Sequence, residues 1–273
     1  MKTIRIGKIA YTNVLPIFTA FDETGLSIEW CPLVPAQLNR SMQQGTIDIA
    51  PVSAFAYGQH YDKYDLIPDI SISSHGAVGS IFLFSSFDRL EDLDRQPIAL
   101  TNTSATSIHL LKVILEKYVG VQPDYHVMTP DLHEMLKVSK AALLIGDDAI
   151  LSAWHHPEIK RFDLGEEWLK YTRLGMTYAV WAVRKELLNE QPDDVSEVAK
   201  RFLQAKYFGV QNLEKAVQYA LKLGGTTDFW KSYFHGLCYD FGKSEQDGLA
   251  TYFQLVYELG YLSESVPIQT LEI

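Results

Sequence analysis

Strands and helices alternate along this chain as far as about residue 183, and that alternation restricts its fold more than any other feature. Residues 4–10 alternate apolar with polar side chains and read as a strand. Tyr11-Thr12-Asn13 follows, and Pro16 suits the first turn of a helix. Leu38 and Met42 share one side of a helix that Gly45 ends. Asp48 lies in a short strand that runs to Val52, with Ser53 just beyond it. Residues 67–74 are extended, and a glycine-containing turn at 75–80 feeds a strand at 81–84. Further strands are predicted at 98–100, within 138–145, and at 176–183. Helical spacing fills 108–120 and 149–154, and from residue 184 it continues to the end, with Ser244 as cap of the last helix. This order predicts an α/β fold with mostly parallel sheets.

A length of 273 residues fits two domains. Residues 85–97 are polar and interrupted, which suits a crossing between them. The expected division is a discontinuous lobe, 1–86 plus 178–273, with a second lobe, 87–177, inserted into it. Ligands prefer domain interfaces and the carboxyl ends of strands, so the cleft between the lobes is the expected site.

Charge removes several classes of partner. The net charge of −10, without basic runs, argues against nucleic acid and against an anionic membrane surface. No apolar run approaches the ~18 residues of a membrane span. Cys31 and Cys238 form no metal-ligand pair and no disulfide framework. The N-terminus alternates charge with apolar residues and does not read as a signal peptide, so a cytoplasmic protein is expected. His155 and His156 are adjacent and cannot share a helix face, and HExxH is absent. Neither Gly-x-Ser-x-Gly nor Gly-x-Gly-x-x-Gly appears. No metal and no cofactor are expected.

Polar residues gather where strands end. They are Asn13, Ser53, the turn with Gly76, Val78 and Ser80, the run Ser104, Thr106 and Ser107, and Gly146-Asp147. The run at 103–107 joins a strand to a helix. A helix start offers unpaired N–H groups and partial positive charge, and hydroxyls add donors, so a carboxylate fits there. Turn formation and capping account for the same residue types. His60, His75, His109 and His235 read as ordinary surface or partly buried imidazoles, and Trp168, Trp181 and Trp230 as core.

Several segments together resemble the chorismate dehydratase family. They are Arg5-Ile6-Gly7 through Asn13 and Pro16, Gly45-Thr46-Ile47-Asp48-Ile49-Ala50-Pro51-Val52-Ser53, and Gly76-Ala77-Val78-Gly79-Ser80. Ser104-Ala105-Thr106-Ser107, Ala142-Leu143-Leu144-Ile145-Gly146-Asp147-Asp148-Ala149, Trp168 and Ala179-Val180-Trp181 extend the match. The resemblance implies a two-lobed fold like the type II periplasmic binding proteins, with the active site in the interlobe cleft. It implies chorismate as substrate, and 3-[(1-carboxyvinyl)oxy]benzoate plus water as products, in menaquinone biosynthesis by the futalosine route. It implies catalytic roles for Asn13 and Ser80. It implies substrate contacts by Ser53, Gly76, Val78, Ser104, Thr106, Ser107, Gly146 and Asp147, with no cofactor. The family usually reads Thr-Gly-Leu-Pro where this chain has Thr172-Arg173-Leu174-Gly175, which adds a cation near the point of return to the first lobe. Two alternatives stay open at this point: a solute-binding protein of the same fold, and the sister 1,4-dihydroxy-6-naphthoate synthase.

Overall fold

The computed structural model describes residues 3–273; Met1 and Lys2, part of the N-terminal stretch read above, lie outside the described residues. The strands are β1 (Ile4–Ile9), β2 (Ile28–Leu33), β3 (Ile49–Ser53), β4 (Tyr64–Ser74) and β5 (Ile81–Ser85), then β6 (Pro97–Thr101), β7 (Asp124–Met128), β8 (Ala141–Ile145), β9 (Lys160–Asp163) and β10 (Met176–Arg184). They form two five-stranded sheets, in the orders β2-β1-β3-β10-β4 and β7-β6-β8-β5-β9.

Both sheets are built on one plan. β1 is parallel to β2 and β3, while β10 runs antiparallel to β3 and β4. β6 is parallel to β7 and β8, while β5 runs antiparallel to β8 and β9. The reversed strand takes the fourth place in each order, and each time it is the strand that has just crossed from the other sheet. The remaining strands of each sheet share one direction, so their carboxyl ends face the same side.

Local chemistry explains the elements. β8 is buried throughout and reads Ala-Ala-Leu-Leu-Ile, as suits a strand covered on both faces. β10 is buried from Met176 to Val183, with Trp181 packed against Phe18 and Phe202. Trp168, Trp181 and Trp230 are all core, as expected. The helix at 108–120 begins at Thr106 and passes into wider π-type turns from Val113 to Val119.

Three expectations shift. β5 places residues 81–85 in the second sheet, short of the boundary expected at 86, and β10 returns the chain at Met176 rather than 178. The reason is that β5 is almost wholly apolar and fills the interior place between β8 and β9. The last helix, Lys243–Glu258, starts one residue before Ser244. Its first turn is closed by Glu245 Oε2, which accepts the Gly242 N–H at 2.9 Å. The chain is also not helical to its end. Gln269 O and Leu271 N–H both bond Leu66, so the tail lies along the outer edge of β4.

The Gly45-to-Asp48 motif is a structural joint. Asp48 accepts from Arg5 N at 3.0 Å, Arg5 Nε at 2.9 Å and Arg5 Nη2 at 2.7 Å, and from Arg184 Nη1 at 3.3 Å. Gly45 O accepts from both guanidinium groups. Burial opposes the Asp48 charge, yet the bonds from Arg5 and the charge of Arg184 hold its carboxyl below the usual range. This knot ties β1, β3 and β10 together at one end of the first sheet.

Candidate active site

A cleft of about 570 Å³, its mouth included, lies between the sheets. It sits at the carboxyl ends of β1, β3 and β8 and at the starts of the reversed strands β5 and β10, through Ile9, Ser53, Ile145, Ile81 and Tyr178. Ile9, Ile72, Val78, Ile81 and Ile145 give it apolar walls. Of the residues expected from sequence, Asn13, Ser53, Val78, Ser80, Ser104, Thr106, Ser107 and Gly146 all line it.

Gly76 and Asp147 do not line it. Gly76 O accepts the Ser74 hydroxyl at 2.8 Å and shapes the turn from behind. Asp147 Oδ1 accepts from the Thr12 N–H and hydroxyl, so it fastens the two strand-end loops to one another. Burial pushes the Asp147 carboxyl up, and the Thr12 bonds pull against that shift. Arg173 is exposed, at φ 65° on the C-terminal end of the helix Leu164–Thr172, and takes no part in the cleft. A left-handed backbone favours glycine there, which is a physical reason for the Gly in the related pattern.

The hydroxyls share one arrangement. Ser53 Oγ accepts from Asn39 Nδ2 at 3.0 Å and from Ala56 N at 3.3 Å. Ser104 Oγ accepts from Ser107 N at 3.1 Å, and Thr106 Oγ1 from Phe55 N at 3.0 Å. Ser80 Oγ accepts the Tyr233 hydroxyl proton at 3.0 Å. In each case the protein uses a lone pair of the oxygen and leaves the O–H proton to donate. Capping and ligand binding therefore coexist. Helices beginning at Ala54, Thr106 and Gly146 add the positive ends of their dipoles on the same side.

Asn13 completes the set. Its Oδ1 is buried and has no hydrogen-bond partner among the described residues. An orphaned buried acceptor costs about 1–3 kcal/mol, so its presence calls for an explanation, and a donor on a ligand supplies one. Among the described residues that line the cleft there is no carboxylate, imidazole or cation. Burial pushes Tyr11 up to about 12, and Tyr178 and Tyr233 higher still, so these phenols stay protonated. The site offers donors and one amide acceptor, with no base of its own.

Two devices hold this geometry. Asp163 gathers four backbone N–H groups: Val78 at 2.9 Å, Gly79 at 2.7 Å, Gly165 at 2.9 Å and Glu166 at 3.2 Å. It caps the helix Leu164–Thr172 and anchors the turn that carries Ser80. Gly146 has φ +57°, donates to Ser80 O at 2.6 Å, and lies so close to Tyr11 that a Cβ would come within 2.9 Å of its ring. Sequence reasoning missed Tyr11, Asn39, Asp163, Tyr178 and Tyr233. Asp163-Leu164-Gly165-Glu166 has the form of a helix start and was legible as one. The others carry no local signal.

Comparison with known proteins agrees with this architecture. A family model described as menaquinone biosynthesis matches residues 4–258. A chorismate dehydratase of Thermus thermophilus is 36% identical over 201 residues, which cover 68% of this chain and 72% of the relative. The crystal structure of protein AF1704 from Archaeoglobus fulgidus superimposes with a TM-score of 0.76 at 21% identity, covering 95% of this chain and 98% of that one. The periplasmic aliphatic sulphonate binding protein SsuA from Escherichia coli gives a TM-score of 0.68 at 15% identity, covering 98% and 96%. At these identities the structural likenesses speak for the fold, which is two-lobed and of the periplasmic-binding-protein type.

Proposed function

The chain belongs to the menaquinone-biosynthesis family, and from that premise we propose that it is a chorismate dehydratase, a hydro-lyase that releases 3-[(1-carboxyvinyl)oxy]benzoate and water. A cytoplasmic enzyme of menaquinone biosynthesis, by the futalosine route, follows from this reading.

The observation that carries it is the donor set. Ser53, Ser80, Ser104 and Thr106 each keep an O–H proton for the cleft, and none of the described lining residues is charged. Chorismate brings two carboxylates, and hydroxyls with helix starts hold anions without a lysine or arginine. The apolar walls suit its ring, and the polar groups set its orientation.

The chemistry needs little from the enzyme beyond position. The ring proton beside the enol ether is acidified through the diene by the ring carboxylate. Its removal and the loss of the ring hydroxyl make the ring aromatic, so the elimination runs downhill. Among the described residues no side chain lining the cleft is a base near neutral pH, and the substrate's own enolpyruvyl carboxylate takes the proton. Asn13 Oδ1 accepts the O–H of the ring hydroxyl and orients it, and the enolpyruvyl carboxylate passes the proton it took to that oxygen as the C–O bond breaks, so water leaves and the carboxylate is regenerated. Ser80, kept as a donor by Tyr233, holds the carboxylate against the proton it removes. Positioning of this kind supplies several kcal/mol of the barrier.

The decisive experiment mixes the purified protein with chorismate and follows aromatic product and loss of water. Conversion supports the reading. Binding without conversion favours a solute-binding role, and the absence of both binding and conversion rejects both readings.

A further inference from the structure

Behind the turn at 75–80, away from the cleft, three metal-ligating side chains converge from separate segments. His75 follows β4, Cys238 follows the helix Thr227–Gly236, and Glu245 lies in the first turn of the helix Lys243–Glu258. We propose that His75, Cys238 and Glu245 bind a thiophilic divalent cation of the zinc type.

Geometry supports it first. One donor atom from each residue lies within 4.8 Å of the other two. Ligands around a tetrahedral zinc ion sit about 3.3–3.8 Å apart, given bonds of about 2.0–2.3 Å. Glu245 Oε1 and Cys238 Sγ are already 3.8 Å apart. His75 Nε2 and Glu245 Oε1 share a hydrogen bond at 2.7 Å, which opens by about 0.7 Å when an ion replaces the shared proton.

The scaffold is prearranged. Ser73 and Cys238 exchange both backbone hydrogen bonds at 2.8 Å, which fixes the thiol beside the segment that carries His75. Glu245 is buried, and its second oxygen is oriented by the Gly242 N–H. Such outer contacts orient metal ligands and are part of a site. Charge also balances, because one thiolate and one carboxylate neutralise a divalent ion. His75 and Cys238 face a separate open hollow of about 990 Å³, its mouth included, which leaves a fourth position for water or a small ligand. None of the three lines the cleft. The ion would tie the turn that leads to Ser80 to the C-terminal helix. Sequence spacing hid the set, since the ligands come from three distant segments.

Titration of the chelator-stripped protein with zinc chloride alone, followed calorimetrically, tests this. Cobalt(II) is the spectroscopic probe. Expected are one ion per chain, a thiolate-to-cobalt charge-transfer band, and a raised melting temperature on loading. Cys238→Ser and His75→Ala should each weaken binding at least about tenfold, with circular dichroism unchanged. Cys238→Ser should also remove the charge-transfer band. His155→Ala with His156→Ala should change nothing. Absence of stoichiometric binding, or wild-type affinity in either Cys238→Ser or His75→Ala, would overturn the proposal.

Discussion

Asp147 Oδ1 accepts two hydrogen bonds from Thr12, from its backbone N–H at 3.1 Å and from its hydroxyl at 2.6 Å. Thr12 follows β1 in the first sheet and Asp147 follows β8 in the second, so this contact closes the cleft from behind. Thr12 is only 3% exposed. Asp147→Ala strands its buried donors and should cost about 1–3 kcal/mol in denaturant unfolding. Asp147→Asn keeps an acceptor and should cost less. Equal losses for the two variants would show that the bonds to Thr12 are not what matters.

Asn13→Ala and Ser80→Ala should each lower kcat about 10²-fold while thermal unfolding changes little, because both hold the reacting groups in position for elimination. Tyr233→Phe removes the donor to Ser80, worth about 1 kcal/mol, and should lower kcat roughly fivefold. Steady-state turnover of chorismate checks all three. Near-normal turnover in Asn13→Ala and Ser80→Ala together would sink their assignment.

Two carboxylates titrate in opposite senses. The Asp48 carboxyl lies below its ordinary 3.8 in the folded protein, so its stabilisation is present above that value and is lost as pH falls through the depressed range. Asp48→Asn should flatten the acid limb of the stability curve and cost about 3 kcal/mol at neutral pH, since Arg5 and Arg184 lose their partner. Asp147 lies above 3.8, so its contribution is present at low pH and falls as pH rises through the raised range. Urea midpoints across pH 3–7, for the parent and each single variant, read both slopes. An unchanged acid limb in Asp48→Asn would refute the first.

Arg173 holds a left-handed backbone at φ 65° without a partner in the cleft. Arg173→Gly should therefore stabilise the protein by about 0.5–1 kcal/mol and leave kcat and KM unchanged. A rise in KM for chorismate would instead make Arg173 a contact of the anionic substrate.

Gly165 packs against the Gly76 carbonyl so closely that a Cβ would sit 2.3 Å from the oxygen. Gly165→Ala must displace the turn that carries Ser80. It should lower both melting temperature and turnover, whereas Gly236→Ala, with open space around it, should affect turnover little.

The α/β order, the two lobes and most of the cleft lining were legible in the chain itself. Strand and helix periods are local, and so are the turn and cap preferences that put Asn13, Ser53, Ser80 and Thr106 at strand ends. Those residues share one cleft because co-directional strands must present their carboxyl ends on one side. Tertiary structure alone decided what each polar group has left to offer. Ser80 keeps its proton because Tyr233, 153 positions later, donates to it. Asp147 serves as a fastener rather than a lining residue because Thr12, 135 positions earlier, donates to its Oδ1. Asn13 Oδ1 is free because nothing among the described residues reaches it. Hydrogen-bond saturation depends on three-dimensional neighbours, and no local pattern in a sequence encodes them.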